Sequence, residues 1–206
     1  MPWSLQLQGD THLSDDIIRR LHSALPQAEA WIDEFLATTA SSARPVSTLG
    51  FTRLSQYFPN ELLERSKVVS VDHVPYPPVD RFGLPEFAPI QQMTFDGITF
   101  KNTFFIQRGR ESDELLHFHE LVHVVQWARL GTGRFLLAYG LGLLQFGYEN
   151  SPLESMAYGF QCGFEVGMPP RNLVGSIEQA TDDVWSQAAQ FISSPRVGSD
   201  PARARS

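Results

Sequence analysis

Residues 115–127 read LLHFHELVHVVQW, and this stretch decides the fold of the surrounding chain. It contains no glycine or proline, and apolar side chains cover most of its helical circumference, which is typical of a buried helix. Ser112 is the predicted N-cap, with the acidic Asp113 and Glu114 in the first turn. Gly131 is the predicted C-cap, so the sequence predicts one buried helix between these two limits.

His119, Glu120 and His123 form an H-E-x-x-H motif inside this predicted helix. Residues four apart lie on one face of a helix, so both imidazoles can bind one metal ion, and the spacing suits tetrahedral zinc. Glu120 follows the first imidazole, where it could accept a proton from a metal-bound water. Charged side chains on a buried helix need partners, and a metal would satisfy all three. The alternative interpretation is a pair of core histidines satisfied by hydrogen bonds.

The composition indicates a folded chain with a substantial core. Its 206 residues are 42% hydrophobic and include 15 Phe and 4 Trp, which is enough for one domain. The net charge of −7 and the lack of a Lys/Arg cluster argue against a nucleic-acid partner. Cys162 is the single cysteine and fits a reducing compartment or a bacterial protein without disulfides. Residues 1–10 do not resemble a signal peptide, so we expect a cytoplasmic protein, with non-classical export left open.

The order of the predicted elements, helices then strands then helices, indicates an α+β fold. We expect a small antiparallel sheet to pack on the helix that carries the H-E-x-x-H motif. Residues 1–192 are expected to form one domain, with a helical region at 1–64 and the core of the metal site at 65–192. Residues 193–206 are rich in Pro, Ser and Arg and are expected to be disordered.

The N-terminal region is predicted to contain several helices. Ser14 is the predicted N-cap of a helix that ends near Leu25, and Pro26 is predicted to begin a second helix. Ser41–Pro45 is the predicted linker after them, and Asn60–Arg65 the next short helix.

The β signals follow this region. Val68–Val71 is a predicted strand, and Asp96-Gly97 is a predicted hairpin turn that leads into alternating residues up to Gln107. Asn102 interrupts the apolar side and indicates a bulge or a bend. The strand that ends near Gln107 is expected to be either an exposed edge, to which an extended peptide could pair, or a covered one.

A later apolar segment, residues 135–148, is shorter than a membrane-spanning helix and contains three glycines. We interpret it as a core helix or a lining of the site; contact with a membrane surface is the alternative. No transmembrane segment is predicted.

A catalytic zinc usually has three protein ligands, so the motif needs a third. The extended pattern with a third histidine is excluded, because Gln126 and Arg129 occupy the positions that require Gly and His. The remaining candidates are three downstream carboxylates: Glu149, Glu154 and Glu165.

Glu154 is the predicted third ligand. Ser151 and Pro152 are typical of a helix start, as N-cap and first helical residue, which places Glu154 in the first turn. Ser151-x-x-Glu154 is also a capping box, and the local sequence favours neither role. The two-histidine site upstream favours the ligand role because Glu154 has a rigid position on a helix, whereas Glu149, the second choice, lies in a turn.

HELVHVVQ at 119–126, followed by GYENSPLESMAY at 147–158, resembles the gluzincin group of zinc metallopeptidases. More narrowly, it is similar to small bacterial domains with an HELxHVVQ helix and a downstream N-P-x-E-x-x-A helix, some of them associated with contractile injection systems. The resemblance covers roughly residues 65–165 and departs from the pattern at Ser151, which stands where those domains often have Asn before Pro. It implies a minimal zincin-like fold, His119, His123 and Glu154 as zinc ligands, and Glu120 as the catalytic base.

The expected function is a zinc-dependent metallopeptidase acting on a peptide or protein substrate. Tyr158, four residues after Glu154 and on the same helix face, is the first candidate for the oxyanion donor, ahead of Tyr148 and His73. The alternative is a catalytically inactive, zinc-stabilised binding or assembly module. Substrate specificity and oligomeric state are not predicted by the sequence.

Overall fold

The computed structural model of the chain describes residues 15–167 and 171–193. The predicted cap at Ser14, the absence of a signal peptide at 1–10 and residues 194–206 of the predicted tail lie outside the described residues. Ser193, the predicted first residue of that tail, is instead the last residue of a helix.

The described residues form an α+β structure with seven α-helices and four short strands. The helices are α1 (Asp15–Thr39), α2 (Leu54–Tyr57), α3 (Asn60–Arg65), α4 (Ala88–Gln91), α5 (Glu114–Phe146), α6 (Pro152–Glu165) and α7 (Leu173–Ser193). The strands are β1 (Arg44–Pro45), β2 (Lys67–Val71), β3 (Gly97–Phe100) and β4 (Thr103–Gln107), and single 3-10 turns lie at Ala40–Ser42, Val46–Thr48 and Pro85–Phe87. The predicted short helix at Asn60–Arg65 and the predicted strand at Val68–Val71 are confirmed.

The sheet is mixed, so the prediction of an antiparallel sheet is wrong. Its order is β1-β2-β4-β3, and β2 and β4 are parallel, with Val69 opposite Phe105. The long connection of residues 72–96 brings the chain back to the sheet before the β3–β4 hairpin, and this allows β4 to lie parallel to β2. Because β4 lies between β2 and β3, the strand that ends at Gln107 is not an edge, and the first of the two expectations for it is wrong.

The hairpin turn lies five residues later than predicted. β3 begins at Gly97 and pairs antiparallel with β4, and the turn between them is formed by Lys101 and Asn102. Lys101 has a φ of 57°, and the Asn102 side chain donates to the Arg65 carbonyl at 2.8 Å. The bend that Asn102 was expected to mark is therefore this turn, and it is tied to the end of α3.

Two predicted helix boundaries also differ from the structure. α1 continues through Pro26 as one helix, because Leu21 and Ile32 on either side of the proline are both buried against the rest of the protein. The N-cap of α5 is Asp113 and not Ser112, since the Asp113 carboxylate accepts a hydrogen bond from the Leu116 amide at 3.1 Å.

The first half of α5 lies at the centre of the core. It packs against the sheet on one side and against α6 and α7 on the other, and its side chains Phe118, Leu121 and Val122 are fully buried. At Gly131 the helix is interrupted, with φ 69° and ψ 169°, which redirects residues 132–146. The predicted helix end at Gly131 thus corresponds to a break, after which the chain immediately forms a second helical segment.

The second half of α5 contains most of the predicted apolar segment at 135–148. Phe135, Leu137 and Leu141 in it are buried, which confirms its interpretation as a core helix. Among the residues that the structure describes, no helix combines the length and apolar character needed to cross a membrane.

Candidate metal centre

The two imidazoles of the H-E-x-x-H motif and the Glu154 carboxylate meet in one buried cluster. Nε2 of His119 and Nε2 of His123 are 3.0 Å apart. They lie 3.3 and 3.4 Å from the Oε2 and Oε1 atoms of Glu154, respectively. In a tetrahedral zinc site with bonds of about 2.0–2.1 Å, adjacent ligand atoms are about 3.3 Å apart. The separations in this cluster therefore match those of three zinc ligands.

Each imidazole is oriented from behind by a glutamine. His119 Nδ1 lies 3.0 Å from Oε1 of Gln161, and His123 Nδ1 lies 2.8 Å from Oε1 of Gln126. Gln126 is itself fixed, because its amide nitrogen donates to the Leu153 carbonyl at 3.1 Å. A carbonyl oxygen only accepts, so each Nδ1 carries a proton, and in the neutral imidazole the lone pair is on Nε2, which faces the cluster.

Glu154 lies in the first turn of α6 and faces the imidazoles, not its own helix end. The Ser151 side chain makes no capping hydrogen bond, so the two residues do not form the alternative capping box. The Tyr139 hydroxyl donates to Oε1 of Glu154 at 2.6 Å. The other two candidate ligands, Glu149 and Glu165, are exposed and lie outside the cluster.

The cluster attracts positive charge. Burial acts to lower the pKa of His123, but the adjacent Glu154 carboxylate outweighs it and raises this pKa to about 9. Burial acts to raise the pKa of Glu154, but the two imidazoles hold it well below its usual range. Oε2 of Glu154 is buried and, among the described residues, accepts no hydrogen bond of good geometry. A divalent cation could replace the proton that the raised pKa of His123 retains, because two Nε2 atoms and a carboxylate then converge on one point.

Glu120 lies beside this cluster but outside it. Its Oε2 accepts a hydrogen bond from the Thr99 hydroxyl at 2.6 Å, so β3 holds the carboxylate away from the imidazoles. Burial raises the pKa of Glu120, while the nearby His119 and His123 act in the opposite direction. β3 passes so close to it that a Cβ atom at Gly97 would overlap the Glu120 carboxylate. Glu120 is thus a positioned carboxylate with a raised proton affinity, which suits a general base.

Two of the three candidate oxyanion donors are near the cluster. The Tyr158 ring lies 4.6 Å from the His119 ring between centroids, and its side chain is 41% exposed, so it borders the open side of the site. The Tyr148 hydroxyl lies near that of Tyr158, and burial raises the pKa of both hydroxyls. His73 is exposed in the loop after β2 and does not line the site.

Two other polar or aromatic side chains of the H-E-x-x-H helix, Trp127 and His117, have structural contacts. Trp127 is buried, stacks on Phe135 with 4.0 Å between ring centroids, and donates from Nε1 to the Thr99 carbonyl at 3.1 Å. His117 is fully buried, and its Nε2 donates to the Glu111 carbonyl at 3.0 Å. His117 therefore has a structural role in the core and takes no part in the cluster.

Sequence reasoning missed four residues that support the site: Gln161, Tyr139 and Thr99, and Gln126 in the role it has here. In the sequence, Gln126 was considered only because it occupies a position that requires Gly in the extended three-histidine pattern. Its position three residues after His123, on the same helix face, was a usable signal. Tyr139 lies beyond the interruption of α5 at Gly131, Gln161 lies on α6 and Thr99 lies on β3, so no spacing within one continuous helix relates them to the motif.

Comparison with protein-family models, with curated proteins and with solved structures gave no match for this chain. The geometry of the site is therefore the basis for assigning a function to this protein.

Proposed function

We propose that this protein is a zinc-dependent peptidase of zincin-like fold, in which His119, His123 and Glu154 hold the metal. The observation that carries the proposal is the arrangement of four groups: three ligand-type side chains converge within coordination distance, and a fourth, Glu120, lies beside them without joining them. A purely structural metal site has no need of this additional buried carboxylate.

Two further observations support an enzyme over a closed structural site. Within the described residues the cluster has three ligand-type side chains, not the four of most structural zinc sites. Glu120, His123 and Glu154 also line a cavity, so a small group can approach them.

The hydrolysis adds one water molecule across the C–N bond of a peptide. Bound zinc would supply Lewis-acid activation of the water and polarisation of the carbonyl group. Glu120 accepts the proton that the attacking water loses and transfers it to the departing nitrogen as the C–N bond breaks. Tyr158, supported by Tyr148, donates a hydrogen bond to the carbonyl oxygen as negative charge develops there.

The low exposure of the site favours a second candidate. His119 and His123 are each 5% exposed and Glu154 is 2% exposed, which would also suit a metal that only stabilises a binding or assembly module. In that case the Glu120 carboxylate would have no chemical role.

The first prediction separates these two functions. Glu120→Gln keeps the size of the side chain and a hydrogen-bonding partner for Thr99, but it removes the proton acceptor. We expect this variant to bind zinc with the parent stoichiometry and to lose roughly 100-fold or more in hydrolysis of a peptide mixture. Zinc would be measured by elemental analysis and cleavage by mass spectrometry. Equal cleavage by the variant and the parent would remove Glu120 from the mechanism; no cleavage by the zinc-loaded parent would favour the structural module.

A further inference from the structure

An apolar cavity of about 140 Å³ opens directly onto the candidate metal centre. Glu120, His123 and Glu154 form one part of its wall. The remaining wall comes from α1, from the connection between β2 and β3, from β3 itself and from the second half of α5. Most of that surface is aromatic or aliphatic, and its aromatic residues include Tyr76, Phe82, Phe87, Phe95, Phe100 and Phe135.

The cavity offers no counter-charge to a charged ligand group. Among the described residues that line it, the carboxylates and imidazole are confined to Glu120, His123 and Glu154, and no Lys or Arg is present. These three groups belong to the candidate metal centre and would be engaged there. The Tyr139 hydroxyl is already used, because it donates to Glu154. Since an unpaired charge is costly to bury, a group that enters the remaining space must be uncharged and largely apolar.

The size of the cavity restricts this group further. An apolar protein cavity of about 150 Å³ accommodates benzene, so this cavity can hold a group of about phenyl size. Small residues are among those that line the cavity, including Ala24 and Ala28 on α1. A larger residue at one of these positions would occupy the volume directly.

We propose that this cavity binds one bulky apolar side chain of a peptide substrate, of the size of phenylalanine or leucine, next to the bond that is hydrolysed. Glu120 and His123 line this cavity, so a side chain bound in it lies beside the groups proposed to react. That the occupant belongs to a peptide substrate depends on the proposed peptidase function. The apolar chemistry and the size of the occupant do not, because they follow from the cavity itself.

The substrate preference would be measured with the zinc-loaded protein and a peptide library whose cleavage products are sequenced by mass spectrometry. We expect Phe, Leu and Met to be enriched at one position flanking the cleaved bond, and Asp, Glu, Lys and Arg to be depleted there. Replacing the preferred Phe by Ala in an otherwise identical peptide should lower kcat/KM by roughly 100-fold, because several methylene-sized contacts are lost.

Two matched variants test whether the cavity is responsible. Ala28→Phe introduces a large side chain at a lining position, whereas Ala30→Phe makes the same change at an exposed position of α1 that does not line the cavity. We expect Ala28→Phe to lose the preference for large residues and Ala30→Phe to keep it. Ala24→Leu is a second variant at the buried end of the same wall, for use if Ala28→Phe fails to fold.

A binding measurement that needs no catalysis separates this inference from the peptidase proposal. Toluene should raise the thermal midpoint of the parent and of Ala30→Phe, and should not raise that of Ala28→Phe or Ala24→Leu. Equal stabilisation of all variants, or of none, would overturn the cavity inference. Cleavage without a preference for large apolar residues would also overturn it. Selective toluene binding without cleavage of any peptide would overturn the peptidase proposal and leave the cavity as a site for small apolar ligands.

Discussion

The Glu154 carboxylate has contacts on two sides, with both imidazoles at 3.3 and 3.4 Å and with the Tyr139 hydroxyl at 2.6 Å. These contacts fix its position before any metal binds. A preorganised ligand loses little conformational freedom on binding, so Glu154 is expected to contribute strongly to zinc affinity.

The second prediction tests this ligand. We expect Glu154→Ala to weaken zinc binding by more than the roughly 10–100-fold that is typical for loss of an outer partner of a metal site. Glu149→Ala removes an exposed carboxylate five residues earlier and should leave zinc affinity unchanged. Competition with a chelator of known affinity would measure both variants. If Glu149→Ala weakened zinc and Glu154→Ala did not, the ligand would be reassigned.

The third prediction concerns the glutamine behind His119. Gln161→Ala removes the acceptor that fixes the Nδ1 proton of His119, and we expect zinc affinity to decrease roughly 10–100-fold. Cys162→Ala, at the exposed neighbouring position, is the matched control and should bind zinc like the parent. An unchanged affinity in Gln161→Ala would show that helix geometry alone orients His119.

The sequence predicted the residues of the candidate site whose positions follow from a pattern within a single helix. The i, i+4 spacing of His119 and His123 and the helix-start signal before Glu154 placed three side chains that the structure brings together. Gln161 and Tyr139 could not be predicted in the same way, because their hydrogen bonds depend on how separate helical segments cross. A sequence pattern has no information about that crossing.

At the scale of elements, the break at Gly131 determines where the second half of α5 goes. Its φ of 69° and ψ of 169° lie in a region that is essentially accessible only to glycine. After the break, Phe135 stacks on Trp127 and Tyr139 reaches Glu154. The conformation of this one residue therefore supports both the core and the candidate metal centre.

The fourth prediction follows from that conformation. Gly131→Ala should destabilise the protein by about 1–3 kcal/mol, because a side chain is strained in this backbone region. Gly133→Ala is the matched control: no neighbouring atom lies within 4 Å of the added carbon, and alanine favours a helix by up to about 1 kcal/mol. Chemical denaturation would give both free energies of unfolding. Similar free energies of unfolding for the two variants would show that the backbone conformation at Gly131 does not require glycine.

Element boundaries were predicted less well than the elements themselves, and tertiary contacts explain the differences. Asp96-Gly97 is a favourable hairpin turn in isolation, but Gly97 is needed in β3, where it allows the strand to pass over Glu120. The turn forms instead at Lys101 and Asn102, where Asn102 also binds the Arg65 carbonyl. Likewise, burial on both sides of Pro26 favours one continuous α1 over two helices.

At the scale of the whole molecule, the candidate metal centre connects two elements that are distant in sequence. His119 and His123 lie on α5 and Glu154 lies on α6, so a metal bound there would link the two helices. A ligand that binds only the folded state stabilises it in proportion to the logarithm of its concentration.

The fifth prediction is a zinc-dependent thermal midpoint. At a free zinc concentration 100 times the dissociation constant, the gain is about 2.7 kcal/mol, which corresponds to roughly 5–10 °C for a protein of this size. A chelator should reverse the shift, and Glu154→Ala should show little of it at the same zinc concentration. Differential scanning calorimetry would measure it. Identical midpoints with zinc and with chelator would argue against metal binding at this cluster.

The α+β class was predictable from the order of helical and strand patterns, but the parallel pairing of β2 with β4 was not. That pairing depends on the path of residues 72–96, which have little regular structure and line the cavity together with α1. Parallel neighbours are set by such long connections, and no periodicity in the strands themselves reports them.

The interruption at Gly131 also divides α5 into two functional parts with different tolerance to change. Residues 114–130 supply His119, Glu120 and His123, whereas residues 132–146 supply Phe135, Leu137 and Leu143, apolar cavity residues outside the candidate metal centre. Saturation mutagenesis of the second part could therefore yield variants with altered ligand selectivity and an intact candidate metal centre. Directed evolution of new specificities in this scaffold would begin at Leu137 and Leu143, with Tyr139 held constant because it supports Glu154.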